Sequence, residues 1–281
     1  MFRTRLISGV VLVLIAIGLL TLGGYVLAGG LLLISLVGMY ELYRTVGIEK
    51  SLLGAVGYAM AALYYLILIL SENPSVDTMP VIFFVVFLIF LMAVYVFTFP
   101  RHQAGQVMTA FFGLVYVAVM LSYMYRTRVM EGGQLLVWLV ILSSWGCDTC
   151  AYCVGMLIGK HKMAPRLSPK KSVEGAVGGI LGAGILGAVY GVVFGSGLGA
   201  ELTSPVLDCA IICMVGAVIS QIGDLAASAI KRNHDVKDYG KLIPGHGGIL
   251  DRFDSVIFVA PAIYYTIVLL TRGMEAFKWF L

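Results

Sequence analysis

Long apolar stretches and short polar breaks alternate along the whole chain. The apolar stretches cover residues 6–21, 24–43, 52–71, 79–99, 106–124, 135–158, 174–198, 206–229 and 255–271. A helix that spans a bilayer needs about 20 apolar residues, with a range near 17–25. The pattern therefore predicts an all-α, polytopic membrane protein of about nine transmembrane helices. Only Gly23-Gly24 separates the first two stretches, and the first is short. They form either a tight hairpin or one span with a re-entrant piece. The basic start followed by an apolar run resembles a signal peptide. No small-x-small cleavage site ends that run and more apolar stretches follow, so a retained first helix is expected. No soluble domain, long linker, low-complexity tract or internal repeat interrupts the pattern. Residues 1–134 read as N-terminal membrane helices. Residues 135–281 read as C-terminal membrane helices carrying the polar loops, in one integral membrane unit.

Composition agrees. The chain is 60% hydrophobic and 12% charged, with a mean hydropathy of +0.98. A soluble domain averages roughly 45–50% apolar and about 25% charged residues. The net charge of +4 is small and is no nucleic-acid signal; its distribution matters more. With the N-terminus in the cytoplasm and nine crossings, 15 of the 19 Lys and Arg residues fall on the cytoplasmic side. These include Lys160, Lys162, Arg166 and every basic residue from Lys231 to Arg252. Arg126, Arg128, Arg272 and Lys278 fall outside, as do the acidic-leaning turns 72–77 and 199–204. The five cysteines, Cys147, Cys150, Cys153, Cys209 and Cys213, all lie in apolar stretches. An odd count there argues against a disulfide framework. Cys147, Cys150 and Cys153 are three apart, at a spacing that shares a helix face. Small-residue packing is the reading preferred over a metal or redox site.

Chemistry concentrates in Ser228–Asp254. Lys231, Arg232, Lys237, Lys241 and Arg252 alternate there with Asp235, Asp238, Asp251 and Asp254, beside His234, His246 and Gly247-Gly248. So dense a polar stretch is costly beside a bilayer unless it sits in headgroups or a wet cavity. Lysines and arginines suit phosphate oxygens, carboxylates suit a hard divalent cation, and glycines let backbone N–H groups approach an anion. Asp224 lies seven residues before Lys231, about 10 Å inside the predicted helix end. An intramembrane carboxylate is a functional candidate; its bland alternative is a structural hydrogen bond to Ser220 or a neighbouring helix. Charge at a helix N-terminus accounts for Asp254 but not for Arg252.

A second cluster runs from Trp145 to Gly175. It holds Asp148-Thr149, Tyr152, Gly159-Lys160 and the run Ser168-Pro169-Lys170-Lys171-Ser172, followed by Glu174-Gly175. Alone, that run is a basic cytoplasmic loop. Its lysines suit a triphosphate as point charges, and Ser168 and Ser172 can donate to phosphate oxygens. Glu174 either favours the next helix N-terminus by its charge or meets substrate.

The stretch from Ser228 closely resembles the signature of the phosphatidate cytidylyltransferase (CDP-diacylglycerol synthase) family. The matching positions are Ser228, Ile230, Lys231-Arg232, Lys237-Asp238, His246-Gly247-Gly248, Ile249, Asp251-Arg252, Phe253 and Asp254. The second cluster resembles the family's Ser-Pro-Lys-Lys-Thr-x-Glu-Gly element, with Ser172 for the threonine. Asp148-Thr149-Cys150-Ala151-Tyr152 stands where the family often has Asp-Thr-Gly-Ala-Tyr, which leaves close helix packing at Cys150 to be explained. The resemblance implies an enzyme that converts CTP and phosphatidate to CDP-diacylglycerol and pyrophosphate with Mg²⁺. It implies metal ligation by Asp224 and Asp251, and a catalytic set of Asp224, Asp251, Lys237, Arg252 and His246. Substrate contacts are then expected from Ser168, Lys170, Lys171, Ser172, Lys231, Arg232, Gly247, Gly248 and Asp148. The expected setting is the cell membrane, multi-pass, with the active site on the cytoplasmic side; a homodimer is compatible with it. An ion-coupled transporter using Asp148 and Asp224 is the alternative from another class. It leaves the two phosphate-suited loops without a purpose.

Overall fold

The computed structural model describes residues 2–71, 81–199, 202–245 and 247–273, with side chains from Ile7 onward. The turn 72–77, His246 and Lys278, singled out above, lie outside the described residues.

Helices dominate. They are α1 (Phe2–Leu22), α2 (Gly24–Arg44), α3 (Leu52–Leu70), α4 (Val81–Phe97), α5 (Ala104–Arg128), α6 (Gly133–Ile158), α7 (Val173–Gly197), α8 (Pro205–Asn233) and α9 (Leu250–Arg272). Among the described residues, seven of these are long and apolar enough to cross a membrane. The described apolar parts of α1 and α4, Ile7–Leu22 and Val81–Phe97, are shorter. The chain breaks between α1 and α2 at Gly23 and Gly24, whose φ angles are 64° and 47°. A side chain would strain that conformation, so the glycine pair ends one helix and starts the next.

Two expectations change. Residues 126 and 128 are not in a loop, because α5 continues through Arg128. Arg126 is 1% exposed, with Nη2 3.5 Å from the Tyr64 hydroxyl and its guanidinium over the Tyr123 ring. The basic loop after α6 also contains a two-stranded antiparallel hairpin, β1 (Lys162–Ala164) and β2 (Ser168–Ser172), with Lys162 opposite Ser172. Its strands are too short and polar for a periodicity reading to find.

The chain divides into two compact units. The first comprises Met1–Arg126 and Asn233–Phe253, the second Thr127–Arg232 and Asp254–Leu281. The polar loop after α8 therefore packs with the N-terminal helices, a grouping unlike a single cut near residue 134. The first unit's core centres on Tyr43, Tyr64 and Tyr65, all at most 1% exposed. Gly57 and Gly113 make room for the Tyr43 ring, whose hydroxyl donates to the Ala110 carbonyl at 2.7 Å. Tyr65 pairs with Ser35 and Tyr64 with Ser122, so the buried hydroxyls find partners.

In the second unit, α7 presents glycines to two neighbours. Gly175, Gly178, Gly179 and Gly182 lie against α6, while Gly184, Gly187 and Gly191 lie against α8. Small residues let helix backbones approach closely, which is a main source of packing between apolar helices. Cys150 faces Gly182, where an added Cβ would sit 2.6 Å from the cysteine Cβ and Sγ. Close packing thus survives the cysteine because the glycine is on the opposite helix. Cys147 and Cys150 both face α7, against Gly179 and Gly182, and exposure rises along the row from buried Cys147 to exposed Cys153.

Candidate functional site

The polar residues gather into two clusters, one in each unit. In the first unit, α8 ends at Asn233 and the chain turns through Asp235, at φ 53°. Tyr239, Ile243 and Leu250 are buried and anchor the loop that follows. Asp251, in the first turn of α9, is 7% exposed. Its Oδ2 accepts hydrogen bonds from the backbone N–H of Tyr239 at 2.8 Å and of Gly248 at 2.9 Å. Hydrogen bonds to a charged group contribute about 1.5–3 kcal/mol each. One carboxylate therefore pins the loop at two points.

The same loop surrounds a cavity of about 440 Å³. Lys237, Asp238, Lys241 and Arg252 line it, together with Gly240, Ile243, Gly245 and Gly247. Three cations against one carboxylate make it a place for an anion. Gly247 has φ 92°, and a Cβ there would lie 2.9 Å from Asp251 Oδ2. Only glycine suits that position. Gly248 plays a different part from the phosphate approach expected of it. Its N–H is given to Asp251, and its Cα faces the carboxylate of Glu41 from α2. Sequence reading missed Glu41, because a single acidic residue in an apolar stretch carries no motif.

The second cluster is built on α6, the hairpin, α7 and α8. Ser172 ends β2 and caps α7, accepting from the Gly175 N–H at 3.2 Å. Glu174 reaches back to the hairpin. It accepts from the N–H groups of Lys160 and His161 and meets His161 Nδ1 at 2.5 Å. This fixes the start of the hairpin and makes Glu174 a structural clasp. Lys171 Nζ forms an ion pair with Asp224 Oδ2, both side chains about one-quarter exposed at 26% and 28%. The structural alternative for Asp224 does not hold at Ser220, whose buried hydroxyl has no hydrogen-bond partner among the described residues.

Beside this pair lies a cavity of about 410 Å³. Asp148, Lys170, Lys171, Ser172 and Gln221 supply its polar lining, and Tyr152, Met156 and Met163 part of its apolar lining. Gln221 Nε2 donates to the Ala176 carbonyl at 2.9 Å, which holds α8 to α7. Asp148 lies two residues after a π-helical segment, Leu142–Gly146. Such segments often mark functional sites. Met156, Met163 and Gln221 belong to no motif, and Tyr152, noted in the second cluster, was not singled out as a binding residue. Ser168 does not line this cavity. Lys231 and Arg232 occupy the last turn of α8, where positive charge suits the helix dipole, and line neither cavity.

Among the described residues no three His, Cys, Asp or Glu side chains group closely enough to hold a metal. Mg²⁺ asks for less, because it is usually held by one or two carboxylates, waters and substrate phosphates. Asp224 and Asp251 each offer a hard oxygen donor of the kind that Mg²⁺ takes.

An anion-suited cavity, a basic cavity with an apolar wall and carboxylates beside both describe a protein that handles phosphates at a membrane. Comparison with known proteins agrees. The chain belongs to the Cytidylyltransferase family, whose model matches residues 3–270. It is similar to the phosphatidate cytidylyltransferase of Bacillus subtilis, 32% identical over 272 residues, or 95% of this chain and 98% of the relative. The phosphatidate cytidylyltransferase of Synechocystis is 32% identical over 299 residues, covering 95% and 96%. That of Staphylococcus haemolyticus is 30% identical over 261 residues, covering 93% and 97%. These relatives lend the transporter reading no support.

Proposed function

We propose that this protein transfers the cytidylyl group of CTP to phosphatidate, giving CDP-diacylglycerol and pyrophosphate. The observation that carries the reading is the pairing of family membership with two cavities whose basic residues suit phosphate. Lys170, Lys171 and Ser172 at the cavity by the hairpin are assigned to nucleotide phosphates. Its apolar wall of Tyr152, Met156 and Met163 suits a base or an acyl chain. Lys237, Lys241 and Arg252 are assigned to phosphate charge in the other cavity. Fixed cations that meet developing negative charge in a dry site stabilise a phosphoryl-transfer transition state strongly.

Asp224 and Asp251 are each proposed as a donor to Mg²⁺, which when bound would neutralise phosphate charge as a Lewis acid. The lipid phosphate is anionic near neutral pH and needs alignment rather than a strong base. The phosphate oxygen of phosphatidate forms a bond to the α-phosphorus of CTP as the bond to pyrophosphate breaks. The cysteines are poor rivals as nucleophiles, since four of the five are buried or half-buried among apolar helices. His246 is the remaining candidate for a covalent route.

The proposed topology has nine spans and a cytoplasmic N-terminus, with loops 159–173 and 230–254 in the cytoplasm. The 15 to 4 partition of Lys and Arg supports it. An impermeant thiol reagent on intact cells should leave single cysteines in those loops unlabelled, in a version otherwise free of cysteine. Labelling from outside would reverse the orientation. The reaction itself is tested with purified protein, labelled CTP, Mg²⁺ and a panel of phospholipids and isoprenoid ether lipids. Label should enter the lipid phase with phosphatidate. Transfer to an ether lipid alone would keep the chemistry and change the acceptor; no transfer to any acceptor would refute the reading.

A further inference from the structure

Glu41 sits in the last turn of α2, where a negative charge opposes its own helix dipole. It is nevertheless 4% exposed. Burying a carboxylate is costly unless hydrogen bonds satisfy it. Its donors come from more than 200 residues away. Glu41 Oε1 accepts from the N–H of Ile249 at 3.1 Å, and Oε2 from the N–H of Leu250 at 2.8 Å. These are the N–H groups at the start of α9, which lack partners within the helix and carry its positive dipole end.

Two glycines complete the fit. A Cβ at Gly240 or at Gly248 would overlap the Glu41 carboxylate. Neither has the positive φ that would explain a glycine by backbone conformation alone. Both are therefore small because Glu41 occupies the space beside them. Gly248 stands between two buried carboxylates: its Cα faces Glu41 and its N–H binds Asp251 Oδ2 at 2.9 Å.

We propose that Glu41 is a positioning residue for the loop 239–252, holding Asp251 and the cations of the adjoining cavity in their working arrangement. It acts through Ile249, Leu250 and the two glycines. The proposal rests on the reading that Asp251 and Arg252 serve cytidylyl transfer.

The test uses the full-length protein in lipid nanodiscs with E41Q, E41D and E41A. Glutamine keeps the volume but turns an amide N–H toward a backbone N–H. Amide hydrogen exchange across 239–252 should rise at least about tenfold in E41Q and E41A, while the hairpin at 162–172 keeps its wild-type exchange. The kcat for cytidylyl transfer should fall about 10–100-fold, the range seen when a residue supporting a catalytic ligand is lost. KM for CTP should move less than about threefold, and E41D should recover part of kcat. If the Glu41 variants fail to purify, G240A in the wild-type background displaces the carboxylate and should loosen the same segment. Unchanged exchange in 239–252, or loosened exchange with wild-type kcat, overturns the proposal. If the wild-type protein transfers no cytidylyl group, the functional reading falls, and the exchange data alone decide whether Glu41 holds the loop.

Discussion

The two clusters hold their carboxylates in opposite ways. Asp251 is buried and spends Oδ2 on two backbone N–H groups, so its first partner is the chain itself. Asp224 is about one-quarter exposed and pairs with a side chain, Lys171. A partly exposed ion pair contributes about 0–1 kcal/mol, whereas orphaning a buried N–H costs about 1–3 kcal/mol. The first arrangement fixes the shape of a loop. The second holds a charge pair that can separate at little cost to the fold. Residues of one charge type thus do separate work, and substitution should separate them.

The largest effect is expected from removing either negative charge. D224N and D251N should each lower turnover by at least about 100-fold, because each deletes charge proposed to hold Mg²⁺. Their stabilities should part: D224N keeps a near wild-type thermal midpoint, while D251N lowers it by loosening Tyr239 and Gly248. Equal midpoints with equal loss of turnover would erase the contrast between the clusters. Near wild-type activity in either variant, with unchanged Mg²⁺ dependence, would remove that residue from the site.

A smaller effect is expected at the lysines. K170A and K171A should raise KM for CTP about tenfold, a loss of about 1.4 kcal/mol, and raise KM for the lipid less. K171A should be the worse of the two, since it also strips Asp224 of its partner. Equal changes for both substrates would assign the lysines a general electrostatic role.

The smallest effect on activity is expected at the α6–α7 seam. G182A must push against Cys150 and should destabilise by about 1–3 kcal/mol while kcat stays within about twofold. Adding C150G reopens the space, so the double variant should be less damaged than the sum of the singles. Strict additivity would mean that the close approach at Gly182 carries no packing strain.

The contrast between the clusters also explains what the sequence could reveal. Long apolar runs announce the helices, and seven of the nine predicted stretches fall on helices whose ends lie within four residues of expectation; the last helix begins five residues early, at Leu250, and the fourth predicted stretch begins at residues outside the description. Lys170, Lys171, Ser172 and Asp148 were legible because local motifs carried them, and they do meet at one cavity. Glu41 was not legible, since its partners Ile249 and Leu250 are backbone groups distant in the chain. Gly248 was read for the anion chemistry of its neighbours, whereas packing against that hidden carboxylate sets its size. The hairpin was missed because three- and five-residue strands leave too few positions for an alternation to show.

Purified protein given α-labelled CTP and Mg²⁺, with and without phosphatidate, tests the central claim most directly. With phosphatidate, label should pass to a CDP-linked lipid with one pyrophosphate released per transfer. Without it, the protein should carry no acid- or base-stable label. Absence of labelled lipid would contradict the assigned reaction, and stoichiometric label on His246 without lipid would contradict direct transfer.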